Sequence, residues 1–170
     1  MEKAISEKEL DIKLKIIAKK ISDEHRNDPT PVVLVCILNG GFMFFSDLVK
    51  QINIPIEIDF IRCKSYLGRK QGDLVVTKDL ETKIKGKHVY LVDDILDSGN
   101  TMKAVTKFLS VKEPKSITPV VAIYKQSGDF EKVLHILHQA TDSMFDPWYI
   151  GYGMDDEKGH NRNLSTIYTI

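Results

Sequence analysis

The sequence has few of the features that mark membrane, secreted or cysteine-stapled proteins. It contains two cysteines, Cys36 and Cys63, without CxxC spacing, so we predict buried free thiols and neither a disulfide nor a cysteine metal site. Its apolar runs fall short of the about 18 residues that a transmembrane helix needs. The charged segment MEKAISEKELDIK lacks the apolar centre of a secretory signal. We therefore expect a cytoplasmic protein with no membrane partner.

The chain also lacks an excess of charge of either sign. Lysine plus arginine and aspartate plus glutamate number 24 each, so the overall balance does not favour nucleic acid as a partner. The patterns GxxxxGK[ST] and GxGxxG are absent, which disfavours an ordinary nucleotide kinase and a dinucleotide-binding fold. An aspartyl phosphatase is disfavoured as well, because Asp94 and Asp97 do not follow DxDx[TV] spacing.

What the sequence does contain is an alternation of apolar strands and amphipathic helices. Its 170 residues, 42% of them hydrophobic, fit one globular domain. Capping-box spacing at Ser6 to Glu9 precedes a predicted helix over about 7–24. Apolar, β-branched runs predict buried strands. The further elements that we predict are strands over 32–38, 56–66, 89–92 and 116–124, and helices over 42–52 and 100–111.

The remaining segments have weaker patterns. Short strands are predicted within 74–80, 148–153 and 165–170, and we interpret DFEKVLHILHQA, 129–140, as helical or irregular. Strand and helix alternation predicts an α/β fold, a mostly parallel central sheet with helices on both faces. Ligands of such sheets lie beyond the carboxyl ends of the strands. Functional residues are therefore expected just after four positions: Leu38, Val92, Tyr124 and Ile150.

The stretch DDILDSGNT is the strongest functional signal. Asp93 and Asp94 follow a buried strand directly, and adjacent carboxylates are tolerated where Mg²⁺ and substrate oxygens lie against them. The alternative is that one acid caps the loop and the other is solvated. The small residues 98–101 enter a helix, where their amides and hydroxyls, with the helix dipole, suit a phosphate monoester.

Other strand ends carry weaker candidates. Asn39 precedes two glycines whose amides could hold an anion, or which simply form a tight turn. Lys125 would place a cation in the same crevice, unless it is a surface lysine. Trp148 would stack on a ring or pack in the core. His135 and His138 have no evident third ligand, so packing is favoured over a metal site.

Together these segments resemble a known family. VYLVDDILDSGNT is similar to the motif of type I phosphoribosyltransferases, which bind 5-phosphoribosyl-1-pyrophosphate. VLVCILNGGFMFFSDL, IDFIRCKSY, the strand ending at Lys125 and WYIGYGMDDEKGHNRNL resemble hypoxanthine-guanine phosphoribosyltransferases, in order over roughly 30–170. The resemblance implies one domain over 1–170, with a core at about 30–125 and a hood from about 1–10 and 126–170.

The resemblance further implies a purine salvage transferase. It would move the 5-phosphoribosyl group from the donor to N9 of hypoxanthine and/or guanine, with Mg²⁺ as cofactor, giving IMP or GMP and pyrophosphate. Homodimers or homotetramers are implied as well. The resemblance makes Asp97 the catalytic residue, as general base or hydrogen-bond partner near N7 of the purine. A lid would include Ser65 and Tyr66.

The binding roles that the resemblance implies fall into four groups. The phosphoribosyl group would contact Asp93, Asp94, Asp97, Ser98, Gly99, Asn100 and Thr101. Pyrophosphate would contact Arg162 and a loop of Leu38, Asn39 and Gly40 that contains a non-proline cis peptide. The purine would contact Lys125, Trp148, Tyr149, Ile150, Met154 and Asp155. Magnesium would be held by Asp93, Asp94 and Asp155.

Two departures and one alternative accompany the resemblance. Asn39 stands where many relatives carry a basic residue, so the pyrophosphate contact would depend on backbone amides. The segment 126–147 matches the family poorly, so the resemblance does not determine which residues form the outer wall of the base pocket. The alternative function is a regulatory protein that senses the same donor and binds nucleic acid. Zero net charge favours the enzyme, as does the presence of Lys125, Trp148, Asp155 and Arg162.

Overall fold

A six-stranded sheet forms the centre of the computed structural model, which describes residues 1–65, 74–125, 130, 132–139 and 147–170. The helices are α1 (Glu7–His25), α2 (Phe42–Gln51) and α3 (Asn100–Ser110). The strands are β1 (Glu2–Lys3), β2 (Val32–Leu38), β3 (Glu57–Ser65), β4 (Leu74–Lys78), β5 (His88–Leu96), β6 (Ser116–Lys125), β7 (Leu134–Gln139), β8 (Tyr149–Ile150) and β9 (Tyr168–Thr169).

The large sheet has the order β4-β3-β2-β5-β6-β7. Its neighbours pair in parallel except for the antiparallel pair β3 and β4. The predicted α/β fold with a mostly parallel sheet is therefore confirmed. Because β2 and β5 are adjacent and end at the same edge, the residues that follow them are brought together there.

Helices cover both faces of this sheet, as predicted. Side chains along β2 alternate between two apolar clusters: Leu34 and Cys36 pack with α1 and α2, whereas Val35 and Ile37 pack with α3. A strand whose alternate residues enter two cores must be apolar at every position. This explains the continuous run VVLVCIL, and the predicted bounds 32–38 are confirmed.

The first helix follows its sequence signals closely. The Ser6 hydroxyl accepts from the Glu9 amide, and the Glu9 carboxylate accepts from the Ser6 amide, which completes the predicted capping box. One face of the helix is buried in the core, with Leu10, Leu14 and Ile21 at helical spacing. The helix ends at His25, one residue beyond the predicted boundary.

The interpretation of 129–140 as helical or irregular is wrong for part of that segment. Residues 134–139 form β7, which pairs in parallel with β6. Within it Leu134 and Ile136 are buried with one residue between them, which is strand spacing. The strand β5 also extends to Leu96, beyond the predicted end at Val92, so both acids lie within it.

The two ends of the chain meet in a second, small sheet. Strands β1, β9 and β8 pair in that order, all antiparallel, and the Thr166 hydroxyl donates to the Ile5 carbonyl at 2.7 Å. The strand β1 was not predicted, because two exposed residues carry no pattern. The boundaries of core and hood stay a prediction.

Two further expectations concern cysteines and membranes. Cys36 and Cys63 are free thiols, the first buried and the second half-buried. Among the described residues, every helix is too short or too polar to cross a bilayer.

Candidate active site

The loop after β2 and the acids of β5 are in direct contact. The peptide bond between Leu38 and Asn39 is cis, as the resemblance implies. A Cβ atom on Gly40 would lie 1.7 Å from Oδ2 of Asp94. Only glycine leaves room for this carboxylate, which explains the small residue of the NGG motif. The predicted pyrophosphate loop and acidic pair thus form one surface.

The two acids are largely withdrawn from solvent although they adjoin, Asp93 being buried and Asp94 half-buried. Asp93 is 8% exposed, and burial, followed by repulsion from Asp94, raises its pKa well above the ordinary range. Burial also raises the pKa of Asp94, against the opposing effects of a hydrogen bond with Asp93 and the nearby charge of Arg162. Two buried acceptor groups in this state suit a divalent cation, whose charge would favour ionisation of both.

The buried pair predicts how pH affects stability. Because the pKa of each acid is higher in the folded than in the unfolded chain, their contribution is fully present below about pH 4 and is lost as pH rises through the folded values. We expect Asp93→Asn to be more stable than the native chain at pH 8 in a metal chelator, by roughly 3 °C or more in Tm, the size of about 1 kcal/mol.

Thermal unfolding at pH 5 and pH 8, with and without Mg²⁺, measures this effect. Mg²⁺ should raise the Tm of the native chain more at pH 8 than at pH 5. It should raise the Tm of Asp93→Asn less than that of the native chain. Asp11→Asn neutralises an exposed acid on α1 that pairs with Lys15, and it should show the pH profile of the native chain. Equal profiles for Asp93→Asn and the native chain would contradict the prediction.

The phosphate loop predicted at 97–101 covers the turn after β5 and the first two residues of α3. Gly99 precedes the helix in a left-handed conformation, with φ of +75°, and the helix begins at Asn100. The Asn100 amide donates to the Ser98 hydroxyl at 3.4 Å. The first amides of a helix lack intrahelical acceptors, so this end of α3 offers donors and a favourable dipole to an anion.

Asp97 and Lys125 stand side by side at the ends of adjacent strands. Leu96 pairs with Tyr124 across the β5–β6 ladder, and the Lys125 ammonium lies 4.0 Å from the Asp97 carboxylate. Asp97 is 67% exposed, whereas Lys125 is 12% exposed. The ammonium also lies 5.8 Å from the centre of the Tyr149 ring. An exposed carboxylate and a largely buried cation therefore lie side by side at this edge of the sheet.

The segment after β8 packs against the loop that follows β2. A Cβ atom on Gly153 would lie 2.1 Å from the carbonyl oxygen of Gly40. The buried Tyr152 donates its hydroxyl to the Asp47 carboxylate of α2 at 2.7 Å. Sequence reasoning did not assign roles to Asp47, Tyr152 or Gly153, and the pattern GYG was the one signal that a tight backbone approach lay here.

Arg162 connects this segment to the acids. Its guanidinium donates to the Gly153 carbonyl at 2.7 Å and to the Asp155 carboxylate at 2.5 Å. Its charge also acts on Asp94, as described above. Trp148 is 57% exposed and donates its indole N–H to the Asp155 carbonyl at 3.4 Å. More than half of its surface is thus open to solvent, and the interpretation of Trp148 as a core residue is wrong.

The predicted metal ligands are only partly brought together. Asp93 and Asp94 adjoin, but in the part of the chain that the structure describes they do not form a compact three-ligand group with Asp155, which is paired with Arg162. Mg²⁺ commonly takes one or two carboxylates and completes its shell with water and phosphate oxygens. The buried pair fits that pattern.

The other predicted residues have these positions. Ile150 and Met154 are 2% and 3% exposed, and Met154 belongs to the main core cluster. Ser65 is the last residue of β3. Tyr66, predicted for the lid with Ser65, lies outside the described residues. His135 and His138 pack near the Tyr124 ring, in keeping with the predicted packing role.

Comparison with known proteins points to one group. The family model described as "Phosphoribosyl transferase domain" matches residues 7–157. The hypoxanthine phosphoribosyltransferase of Buchnera aphidicola subsp. Schizaphis graminum is 36% identical over 89% of this chain and 85% of that protein. The hypoxanthine-guanine phosphoribosyltransferase of Aquifex aeolicus is 35% identical over 96% of this chain and 92% of that protein. Among solved structures, the hypoxanthine phosphoribosyltransferase of Trypanosoma cruzi in complex with the product IMP is similar with a TM-score of 0.87, at 27% identity over 99% of this chain and 92% of that one.

Proposed function

The chain belongs to the phosphoribosyl transferase domain family, and we propose that it moves the 5-phosphoribosyl group from 5-phosphoribosyl-1-pyrophosphate to N9 of hypoxanthine and/or guanine. It is an enzyme of purine salvage, as its relatives are. The observation that carries the proposal is the meeting of three groups at one sheet edge: the buried acids of β5, the amide-rich start of α3, and the Asp97–Lys125 pair.

The donor would lie across this edge with its sugar against the acids. Asp93 and Asp94 would face the ribose hydroxyls, and the 5′-phosphate would accept from the residues 98–101 at the start of α3. The diphosphate would contact the backbone of Asn39 and Gly40. This arrangement is supported by the contact between Gly40 and the Asp94 carboxylate.

Magnesium is the proposed cofactor, held by the acids together with donor oxygens. Bound there, Mg²⁺ would neutralise and orient the diphosphate leaving group. Arg162, whose charge lowers the pKa of Asp94, would add positive charge near the acids. A proposed role for Asp155 in a second metal site requires its carboxylate to leave Arg162 or to be shared with it.

The chemistry that these groups support is displacement at the anomeric carbon. The departing group gains negative charge and the sugar ring gains positive charge in the transition state, so fixed cations on one side and carboxylates on the other stabilise it. Asp97 is proposed to take or share the proton at N7 of the base. A lid with Ser65 and Tyr66 would exclude water, which would otherwise capture the sugar cation.

The purine would lie between Trp148 and the end of β6. Lys125 is proposed to donate to the exocyclic O6 atom, the feature that hypoxanthine and guanine share. Trp148 would stack on the ring, since more than half of its surface is exposed. The backbone at Tyr149 and Asp155 would contact the edge of the base. Ile150 and Met154 would support the pocket from within the core.

An activity panel tests the proposed function. Hypoxanthine, guanine, xanthine and adenine would each be offered with the pyrophosphate donor and Mg²⁺, and nucleotide formation would be followed. We expect IMP and/or GMP with release of pyrophosphate, and little use of adenine, which has no O6 acceptor. Absence of nucleotide from all four bases would overturn the proposal.

A second test isolates the lysine. We expect Lys125→Ala to raise KM for hypoxanthine by roughly tenfold or more, the cost of one charge-assisted hydrogen bond, with a much smaller change in KM for the donor. The control Lys85→Ala removes an exposed lysine whose partner is Glu113. It should leave the KM for hypoxanthine and the KM for the donor unchanged. Equal losses for base and donor would argue against a lysine that recognises the base.

The regulatory alternative is not supported, because the relatives named above are enzymes. Weak turnover with tight, salt-sensitive binding of nucleic acid would have been its signature. We further propose a cytoplasmic homodimer or homotetramer. The assembly is supported by Ile12 and Ile16, which are 48% and 61% exposed and four residues apart on α1. Light scattering of the purified chain measures it.

A further inference from the structure

Three metal-ligating side chains gather at the opposite edge of the sheet. His25, Asp28 and His88 each place one ligand atom within 4.8 Å of the other two. The imidazole rings of the two histidines lie 4.5 Å apart between centres, and His88 Nε2 is 3.1 Å from Asp28 Oδ2. Among the described residues this is the one group of three or more such side chains that is this compact.

The cluster is separate from the candidate active site. His25 is the last residue of α1, and His88 is the first residue of β5. Asp93 follows His88 by five positions along the extended strand, a distance of about 16 Å. A cleft of about 380 Å³ borders His25 and Asp28 and opens to solvent, so an ion can reach the cluster without passing the acids.

His25 is prepared as a ligand by its hydrogen bonds. Its Nε2 lies 2.7 Å from the Tyr90 hydroxyl. In the tautomer that binds a metal through Nδ1, the ring donates Nε2–H to this hydroxyl oxygen. The lone pair of the neutral ring is then on Nδ1, which is buried and has no partner among the described residues.

The environment of His25 keeps the ring neutral. The residue is 7% exposed, and burial, followed by the neighbouring His88, lowers its pKa. An unpartnered buried nitrogen costs free energy, and a metal ion would relieve that cost. The N–H donated to Tyr90 matches the outer contact that most metal-bound histidines make.

Asp28 and His88 supply the other two ligand atoms. The Thr30 amide donates to Oδ1 of Asp28 at 2.8 Å, which leaves Oδ2 as the ligand atom. Hydrogen bonds from Thr30, with a contribution from His88, hold the pKa of Asp28 well below its usual range. His88 Nδ1 lies 2.6 Å from the Ser116 hydroxyl, which can accept from Nδ1–H when Nε2 turns its lone pair to a metal.

One neighbouring cation competes for the aspartate. The Lys115 ammonium lies 3.4 Å from Oδ2 of Asp28 and donates to the Thr30 hydroxyl at 2.8 Å. Because the Thr30 contact is the shorter, Lys115 can keep it when Oδ2 turns to a metal. Lys115 is half exposed, so its charge is screened by water.

We propose that His25, Asp28 and His88 bind one divalent transition-metal ion, for which zinc is the best match. Two imidazoles and one carboxylate are a frequent zinc ligand set, and the fourth position would go to water from the cleft. The ion would join the end of α1, the loop that follows it and the start of β5. It lies outside the transfer reaction proposed above and would stabilise the fold.

Zinc titration of the full-length chain tests this site. The metal-free protein would be titrated with Zn²⁺ by calorimetry in excess Mg²⁺, so that the acids of β5 are already occupied. We expect one zinc per chain, a Tm that rises with zinc, and the visible absorption of four-coordinate Co²⁺ when cobalt replaces it. His88→Gln and Asp28→Asn should each weaken binding by roughly tenfold or more.

The controls keep the result interpretable. Asp28 is partly exposed, so Asp28→Asn should fold and retain transferase activity, which circular dichroism and an assay verify. The double variant His135→Gln/His138→Gln removes two histidines elsewhere and should bind zinc like the native chain. The proposal is overturned if the native chain binds no zinc under these conditions, or if Asp28→Asn and His88→Gln bind it as tightly as the native chain.

Discussion

Replacing Asp97 by asparagine is expected to lower kcat by about 100-fold or more, because the chain would lose its general acid/base. Asparagine has the same shape and keeps a hydrogen-bonding oxygen, so positioning of the loop should survive. Asp97 is 67% exposed and 4.0 Å from the Lys125 ammonium, so its removal should not unfold the protein. The loss should therefore appear in turnover, with Tm changed by less than a few degrees.

Steady-state kinetics with hypoxanthine and saturating donor measures the effect. Asp79→Asn is the matched control, since Asp79 is another partly exposed aspartate beside a lysine, Lys112, at 2.7 Å. We expect native kcat for that variant. Turnover of Asp97→Asn within a factor of two of the native enzyme would remove Asp97 from the mechanism. A rise in KM alone would make it a binding residue.

Gly153→Ala should damage both folding and catalysis. The new Cβ atom would lie 2.1 Å from the carbonyl oxygen of Gly40, and a backbone atom cannot rotate away as a side chain can. The backbone at Gly153 also has a φ of +101°, which disfavours alanine. The steric cost and the conformational cost together amount to about 3 kcal/mol, or roughly 6–12 °C in Tm for a chain of this length.

A second glycine separates the two costs. Gly86 has a φ of +71°, and among the described residues no atom outside its two chain neighbours lies within 4 Å of the position that a Cβ atom would take there. Gly86→Ala therefore carries the conformational cost alone, about 1–2 kcal/mol, and we expect it to keep native kinetics. Gly153→Ala should lose affinity for the donor as well, because it moves Gly40 away from Asp94. Equal Tm values for the two variants would show that the segments are not tightly packed.

Much of the fold could be predicted because the relevant patterns are local. The run VVLVCIL is apolar at every position, since its residues enter two cores, and its bounds were predicted correctly. The helix α1 carries its own start signal in Ser6 and Glu9. By contrast, β7 is a strand because β6 offers it a hydrogen-bonding edge. That partner does not show in the composition of DFEKVLHILHQA.

The candidate site divides in the same way. Its acids, small-residue loop and lysine lie at or just after the ends of apolar strands. The rule that parallel strands end at one edge was enough to predict that they meet. The contacts between distant segments were not predictable. Tyr152 and Asp47 are 105 residues apart in the chain, and no local sequence pattern at either residue predicts their contact.

The sequence by itself determined the alternation of elements, the strand ends that carry chemistry and the family, because periodicity and motif spacing act over a few residues. Only the tertiary structure decided that Gly153 lies on Gly40, that Arg162 joins Asp155 to the side of Asp94, and that His25 and His88 meet at the far edge. The physical reason is that these contacts depend on how whole elements pack. Packing is set by the combined shape of many side chains and leaves no local pattern at the residues that finally touch.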